Sequence, residues 1–211
     1  MSITEKLYLQ IKQDIRDNRL AIGVALRQEE LSARYKVSRI PVRDVMQRLK
    51  NEGWLRGIGK VGLMIPPLEA QEAEDLSLMR VYLEPLLLGF ALPKLSNQAM
   101  GQAEDILQTL DRPGLSVAEH GELNWQFHAC LYLPAERPTL FTTVANLHQQ
   151  CGKYIGFHSV TLNYTEVSQQ QHYQLLDAVK KRDTARAKRI LVQHIQEASD
   201  ILVAHLHSVT S

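Results

Sequence analysis

Residues 37–55 read VSRIPVRDVMQRLKNEGWL, and few folds have a place for such a stretch. Ser38 is suited to an N-cap, because its hydroxyl can accept from a free N–H of the first helical turn. Pro41 falls inside that turn, where its missing N–H costs nothing. Val42, Val45, Met46 and Leu49 then recur at i, i+3, i+4 and i+7, one buried stripe of a helix. Arg39, Arg43, Gln47 and Lys50 fall on a neighbouring arc at a pitch of about 100° per residue. The apolar back can pack on a scaffold while the front meets DNA, since arginine bridges guanine O6 and N7 or clamps phosphates. An ordinary exposed helix that happens to carry arginines fits the same letters, so the flanks must decide.

Upstream, Ser2 and Glu5 form a capping box ahead of Leu7, Ile11 and Ile15, which predicts a helix over residues 4–18. A second short helix over 28–35 turns Leu31 inward and leads through Lys36 and Val37 into the basic helix. Two short helices joined by a tight turn make a helix-turn-helix. Downstream, short β-prone runs on either side of Gly57-Ile58-Gly59-Lys60 predict a two-stranded wing. Lys60 at its tip would reach a phosphate or the minor groove. Pro66-Pro67 is a semi-rigid linker, which divides the chain into domains 1–66 and 67–211.

Charge follows the same division. Residues 1–66 hold 13 Lys and Arg against 7 Asp and Glu, whereas residues 67–211 hold 11 against 16. A basic head on an acidic body is the electrostatic footprint of a nucleic-acid reader joined to something else. Cys130 and Cys151 form no CxxC pair, which points to a reducing compartment and a cytoplasmic protein. The apolar run over 81–92 is broken by Glu84 and Pro85 and is too short for a bilayer, so no membrane partner is expected.

The body carries almost only helix signals. Helices are predicted over 69–92, 96–110, 116–132, 138–157, 165–181 and 184–207, with a kink or fresh start at Pro85. The fold class is therefore mostly α: a winged helix-turn-helix followed by an all-α bundle of about six helices. His128, His172 and His194 each share a helix face with apolar residues and point inward, and Asn124 stands four residues before His128. Three imidazoles and an oxygen donor can hold a divalent metal; each can equally be a core histidine satisfied by a hydrogen bond. His120, His148, His158, His205 and His207 are assigned surface or structural roles, and residues 180–189 look like solvated charge.

The run VSRIPVRDVMQRLKNEGWL with its GIGKVG wing resembles the winged-helix head of GntR-type bacterial transcription regulators, over roughly residues 4–66. That resemblance implies that Arg39 and Arg43 contact bases or phosphates, that Gly59 and Lys60 serve the wing, and that Arg34 reaches the backbone. Ser38 and Gln47 complete the expected DNA-facing set. Glu29 sits where some relatives carry a DNA-contacting arginine, and Ile40 replaces a common threonine.

In the body, N-x-x-F-H, a histidine 44 residues on and another 22 later resemble the FCD ligand-binding domain of the FadR subgroup. The resemblance implies a divalent metal, zinc or nickel, on Asn124, His128, His172 and His194, and a small carboxylate effector beside it. Many members have aspartate where this chain has Asn124, a weaker and uncharged ligand; some lack the metal and bind larger acyl ligands. Arg80 is expected to pair with the effector or to make a structural salt bridge, and Asn146 to line the cavity. The expectation is a homodimeric regulator, most simply a repressor, that reads an inverted-repeat operator and answers a small organic acid. A metal-dependent hydrolase or lyase on the same histidines is the alternative, although no acidic residue adjoins them in a catalytic motif.

Overall fold

A computed structural model describes residues 1–17, 19–59, 62–67, 69–161 and 164–210, with side chains left aside at 153–161 and 209–210. The chain divides into two compact units, Met1–Leu68 and Glu69–Ser211. In the first, helix α1 (Ile3–Arg16) starts at Ser2, whose hydroxyl accepts from the Glu5 amide. Glu5 does not complete the capping box; its carboxylate pairs with Arg48 at 2.9 Å instead. Helix α2 (Gln28–Tyr35) ends at Lys36 in the left-handed conformation, and α3 (Arg39–Asn51) follows after a tight turn. The stripe Val42, Val45, Met46 and Leu49 is buried against Leu7, Ile11, Leu31, Trp54 and Leu55.

The wing differs from the expected pair of strands. Strands β1 (Ala25–Leu26), β2 (Arg56–Ile58) and β3 (Gly62–Met64) form one antiparallel sheet in the order β1-β3-β2. Two residues between helices carry no periodicity, so β1 leaves no sequence signal. Pairing to β3 satisfies its backbone and ties the turn before α2 to the wing.

The second unit is helical throughout: α4 (Ala70–Ala91), α5 (Asn97–Leu110), α6 (Val117–Tyr132), α7 (Pro138–Thr161), α8 (Thr165–Lys180) and α9 (Thr184–Thr210). Ser96 and Ser116 cap α5 and α6, the latter through a reciprocal capping box with Glu119. Helix α4 packs against α9, α7 and α6, and runs unbroken through Pro85 rather than restarting there. Taken whole, Ala70–Lys94 is long and apolar enough by composition to cross a membrane, a length the broken run 81–92 concealed. Its inner residues Leu87, Leu88 and Ala91 are fully buried in the bundle, among Leu107, Phe127, Leu131, Leu175 and Leu191.

One charge in the 180–189 segment is structural. Arg182 donates to the Leu92 and Leu95 carbonyls at 2.6 and 2.5 Å, so it ties the α8–α9 junction to the end of α4. Those carbonyls lie where a helix ends, and a guanidinium satisfies both at once.

Candidate functional site

The front of α3 exposes Ser38, Arg39, Arg43 and Gln47 together. Ser38 occupies the N-cap in extended conformation, yet its hydroxyl makes no capping bond and stays exposed. Arg39 pairs across to Glu29 on α2 at 3.0 Å, and Arg43 pairs with Asp44 at 3.2 Å. Exposed pairs of this kind are worth about 0–1 kcal/mol, so a phosphate or base edge can displace either carboxylate. Gln47 donates to Asn51 at 3.0 Å. Arg48 faces the other way, with its guanidinium over the Tyr8 ring at 3.5 Å and bonded to Glu5 and Glu52, which fixes α3 to α1. Arg34 is engaged within the unit, donating to the Arg19 carbonyl at 3.1 Å and lying 3.5 Å from Asp14. Gly59 holds φ +52° in the wing turn, a conformation that favours glycine. Lys60, the expected tip, lies outside the described residues.

In the second unit, His128 on α6, His172 on α8 and His194 on α9 converge, with one ring nitrogen of each within 4.8 Å of the others. All three side chains are buried. Burial pushes the His128 and His172 imidazoles well below their usual range, and neighbouring histidines push the same way. They are therefore neutral at pH 7, the form that ligates metal.

Which nitrogen each ring offers follows from its neighbours. The Tyr132 hydroxyl donates to Glu84 Oε2 at 2.6 Å, which leaves its oxygen to accept from His128 Nδ1–H at 3.2 Å. The Gln169 amide nitrogen donates to the Leu107 carbonyl and to Asp111, so its oxygen accepts from His172 Nδ1–H at 3.3 Å. The Gln171 amide nitrogen donates to Glu197, so its oxygen accepts from His194 Nδ1–H at 2.9 Å. Each Nδ1 is thus a donor and each Nε2 carries the lone pair. Nε2 of His128 and of His172 is buried without a partner. A buried acceptor left unmade costs about 1–3 kcal/mol, and a cation shared between the rings would relieve it. The donor set fits a divalent metal.

Beside the triad lies a cavity of about 90 Å³, lined by Arg80 and Ser77 of α4, His120 and Asn124 of α6, Ser168 of α8 and His194 of α9. A cavity of this size has room for a small molecule, with the Arg80 guanidinium and the His120 and His194 rings among its polar groups and Leu76, Ile195 and Leu202 among its apolar ones. His194 belongs to both triad and cavity wall.

The expectation for Asn146 is corrected: its side chain is exposed and does not line the cavity. Helix α7 buries the stripe Val144, Leu147, His148 and Cys151, at i, i+3, i+4 and i+7, and Asn146 falls off that stripe. The same periodicity turns His148 inward, where it takes a structural place against Glu84. His158 lies among the side chains left aside. His120, also set aside, lines the cavity with a buried, unpartnered Nε2.

Arg80 makes the structural salt bridge that was one of its two expected roles. It lines the cavity, and its Nε lies 2.5 Å from Glu84 Oε1. Glu84 is wholly buried; His148 Nε2 approaches the same oxygen at 3.0 Å. Burial alone would raise the Glu84 pKa, but Arg80 and His148 outweigh it and hold the carboxyl well below the usual range. Sequence reasoning missed Glu84, although an acid four residues after an arginine inside an apolar run is a sign of a buried pair.

A winged helix-turn-helix joined to an all-helical unit with a histidine-lined cavity defines a two-domain DNA-binding regulator. The chain belongs to the GntR family of bacterial regulatory proteins: residues 3–65 match the model for bacterial regulatory proteins of the gntR family, and residues 75–197 match the FCD domain. It is 28% identical to the Nta operon transcriptional regulator of Aminobacter aminovorans over 181 residues, 84% of either protein. It is 26% identical to the HTH-type transcriptional repressor RspR of Escherichia coli K12 over 202 residues, 94% of this chain and 88% of that one. The solved structure of E. coli McbR/YncC has the same fold, with a TM-score of 0.76 over 98% of this chain and 99% of that one at 18% identity. The family is one of transcription regulators that bind DNA operators, not of enzymes, which removes the hydrolase or lyase alternative.

Proposed function

We propose that this chain is a homodimeric repressor whose operator affinity is set by a small organic acid bound beside a divalent metal in the helical domain. The observation that carries this reading is the buried triad of imidazoles, two with unpartnered Nε2, sharing His194 with a small cavity. His128, His172 and His194 would hold the metal, with zinc or nickel the species that suits them and Asn124 as a weaker oxygen donor. When bound, such a cation offers open coordination positions to a carboxylate. Arg80 adds to the cavity wall a guanidinium that suits a carboxylate.

Repression is supported by the relative that bears that name, RspR. Dimerisation is supported by α4, which exposes Leu78, Tyr82, Leu86 and Phe90 at i, i+4, i+8 and i+12. We assign that apolar ridge to a second copy of this chain, because a lone head makes too few contacts for specific binding. In DNA recognition, Arg39 and Arg43 read the major groove, Ser38, Gln47 and Arg34 steady the helix on the backbone, and the wing at Gly59 and Lys60 follows the groove. The place of work is then the cytoplasm, with the chromosome.

The acid shifts operator affinity only by its differential affinity for the DNA-competent and DNA-incompetent arrangements. The test is titration of short 2-hydroxy, 2-oxo and dicarboxylic acids into the protein–operator complex, the operator having been selected from a randomised duplex library. At least one acid is expected to release the wild type, and His172→Ala is expected to bind DNA but ignore that acid. Equal responses in the two proteins would remove the triad from effector sensing.

A further inference from the structure

Each triad imidazole donates Nδ1–H to an oxygen, but the three second partners are not alike. His172 and His194 bond to neutral glutamine amides whose onward contacts are to Asp111, which is exposed, and to Glu197, which is half-buried. His128 bonds to Tyr132, and Tyr132 bonds to Glu84, a carboxylate with no exposed surface. Both Glu84 oxygens are occupied: Oε2 accepts from Tyr132, while Oε1 takes Arg80 and His148. This hydrogen-bonded path leads from the triad to a fully buried negative charge.

We propose that Glu84 is a positioning residue for the metal, acting through Tyr132. The inference rests on the metal reading above and adds to it the source of the missing charge. A site made of three imidazoles and the Asn124 amide has no anionic ligand. Glu84 supplies a fixed charge one hydroxyl away from His128. The hydroxyl transmits it by orientation: its proton is committed to the carboxylate, so its lone pair faces His128 and commits Nδ1 as donor. A ring whose N–H leans on a polarised oxygen is the more basic ligand at its other nitrogen. The path also holds the ring plane, because Tyr132 lies one helical turn beyond His128 on α6 while Glu84 comes from α4.

A purely architectural role is the competing account, since the same contacts join α4 to α6 and α7. Two variants separate the accounts. Tyr132→Phe removes the hydroxyl on the path to His128. His148→Gln alters the other approach to Glu84, off that path, and keeps a donor for the carboxylate. The measurement is affinity for zinc and cobalt, by competition with a chromogenic chelator, on full-length protein shown to be folded without metal by circular dichroism. The cobalt absorption spectrum reports the ligand field directly.

Tyr132→Phe is expected to bind about 10–100-fold more weakly than wild type with an altered cobalt spectrum. Glu84→Gln should weaken binding by a similar factor, and the double variant no further, since both act in one path. His148→Gln should stay within about threefold of wild type. Tyr132→Phe affinity and spectrum matching the wild type would overturn the proposal, as would His148→Gln losing as much as Tyr132→Phe. Wild-type protein that binds neither metal would defeat the metal reading itself, and this inference with it.

Discussion

The chain contains two kinds of arginine–carboxylate pair, and the contrast between them separates reading from sensing. On the first unit, Arg39 and Glu29 meet at 3.0 Å with each side chain about 68% exposed. In the second, Arg80 and Glu84 meet with side chains 12% and 0% exposed. Water and salt screen the first pair, so it exchanges readily for a phosphate. The second pair is shielded, hydrogen-bonded on both carboxylate oxygens and linked through Tyr132 to the histidine triad. Breaking such a pair strands a buried charge at a cost of about 3–5 kcal/mol, so its geometry persists. Exposed charge suits a surface that must trade partners, and buried charge suits a site that must hold one shape.

The largest expected difference between the two regions is their response to acid. All eight histidines lie in the second unit, and burial holds His128, His148 and His172 below their ordinary range. Their folded pKa values lie below the unfolded value of about 6.5, so under that pH the unfolded chain binds protons that the folded chain refuses. Stability of the metal-free second unit is thus intact above about pH 7 and falls as pH drops from 6.5. Glu84, whose pKa is lowered, adds its loss only at more acid pH. With one tryptophan in each unit, Trp54 and Trp125, single-tryptophan variants can follow the two transitions by fluorescence. The Trp125 transition should move to lower denaturant between pH 7 and 5.5 while the Trp54 transition holds. Equal movement of both would break the comparison.

A smaller effect belongs to the reading face. Arg43→Ala should weaken operator binding by about 1–3 kcal/mol and relax preference at one base position, if the contact is bidentate to guanine. Loss that is uniform across sequences would make Arg43 a phosphate contact instead. The smallest effect sharpens the account of exchangeable pairs. Glu29→Gln frees Arg39 and removes a negative charge from the DNA-facing side, so binding should tighten severalfold at low salt. The dependence of log affinity on log salt should steepen by up to about 0.9, one additional phosphate neutralised. An unchanged slope would mean that Glu29 leaves Arg39 free on DNA already.

The recognition helix was legible because its apolar stripe, proline and serine all agree on one register. The bundle was legible for the same reason, with breaks at Pro93, Pro113 and Pro134 that helices cannot easily cross. Strand β1 was not, since two residues hold no pattern and its pairing depends on β3, some forty positions away. Inward histidines could be inferred from their helix faces, but their convergence depends on how three helices pack. Glu84 stayed hidden because the sequence registers it as an interruption in an apolar run. Only the fold brings Arg80, Tyr132 and His148 around it. Asn146 misled because proximity along α7 says nothing about facing; the buried stripe through His148 was the better guide.

On the proposed function, effector sensing depends on a metal held by three buried imidazoles. The most direct measurement is the metal content of purified full-length protein, wild type beside His172→Ala, by elemental analysis without added metal. Close to one divalent ion per chain is expected in the wild type, and its loss in the variant. No metal in the wild type, even after incubation with zinc or nickel, would contradict it.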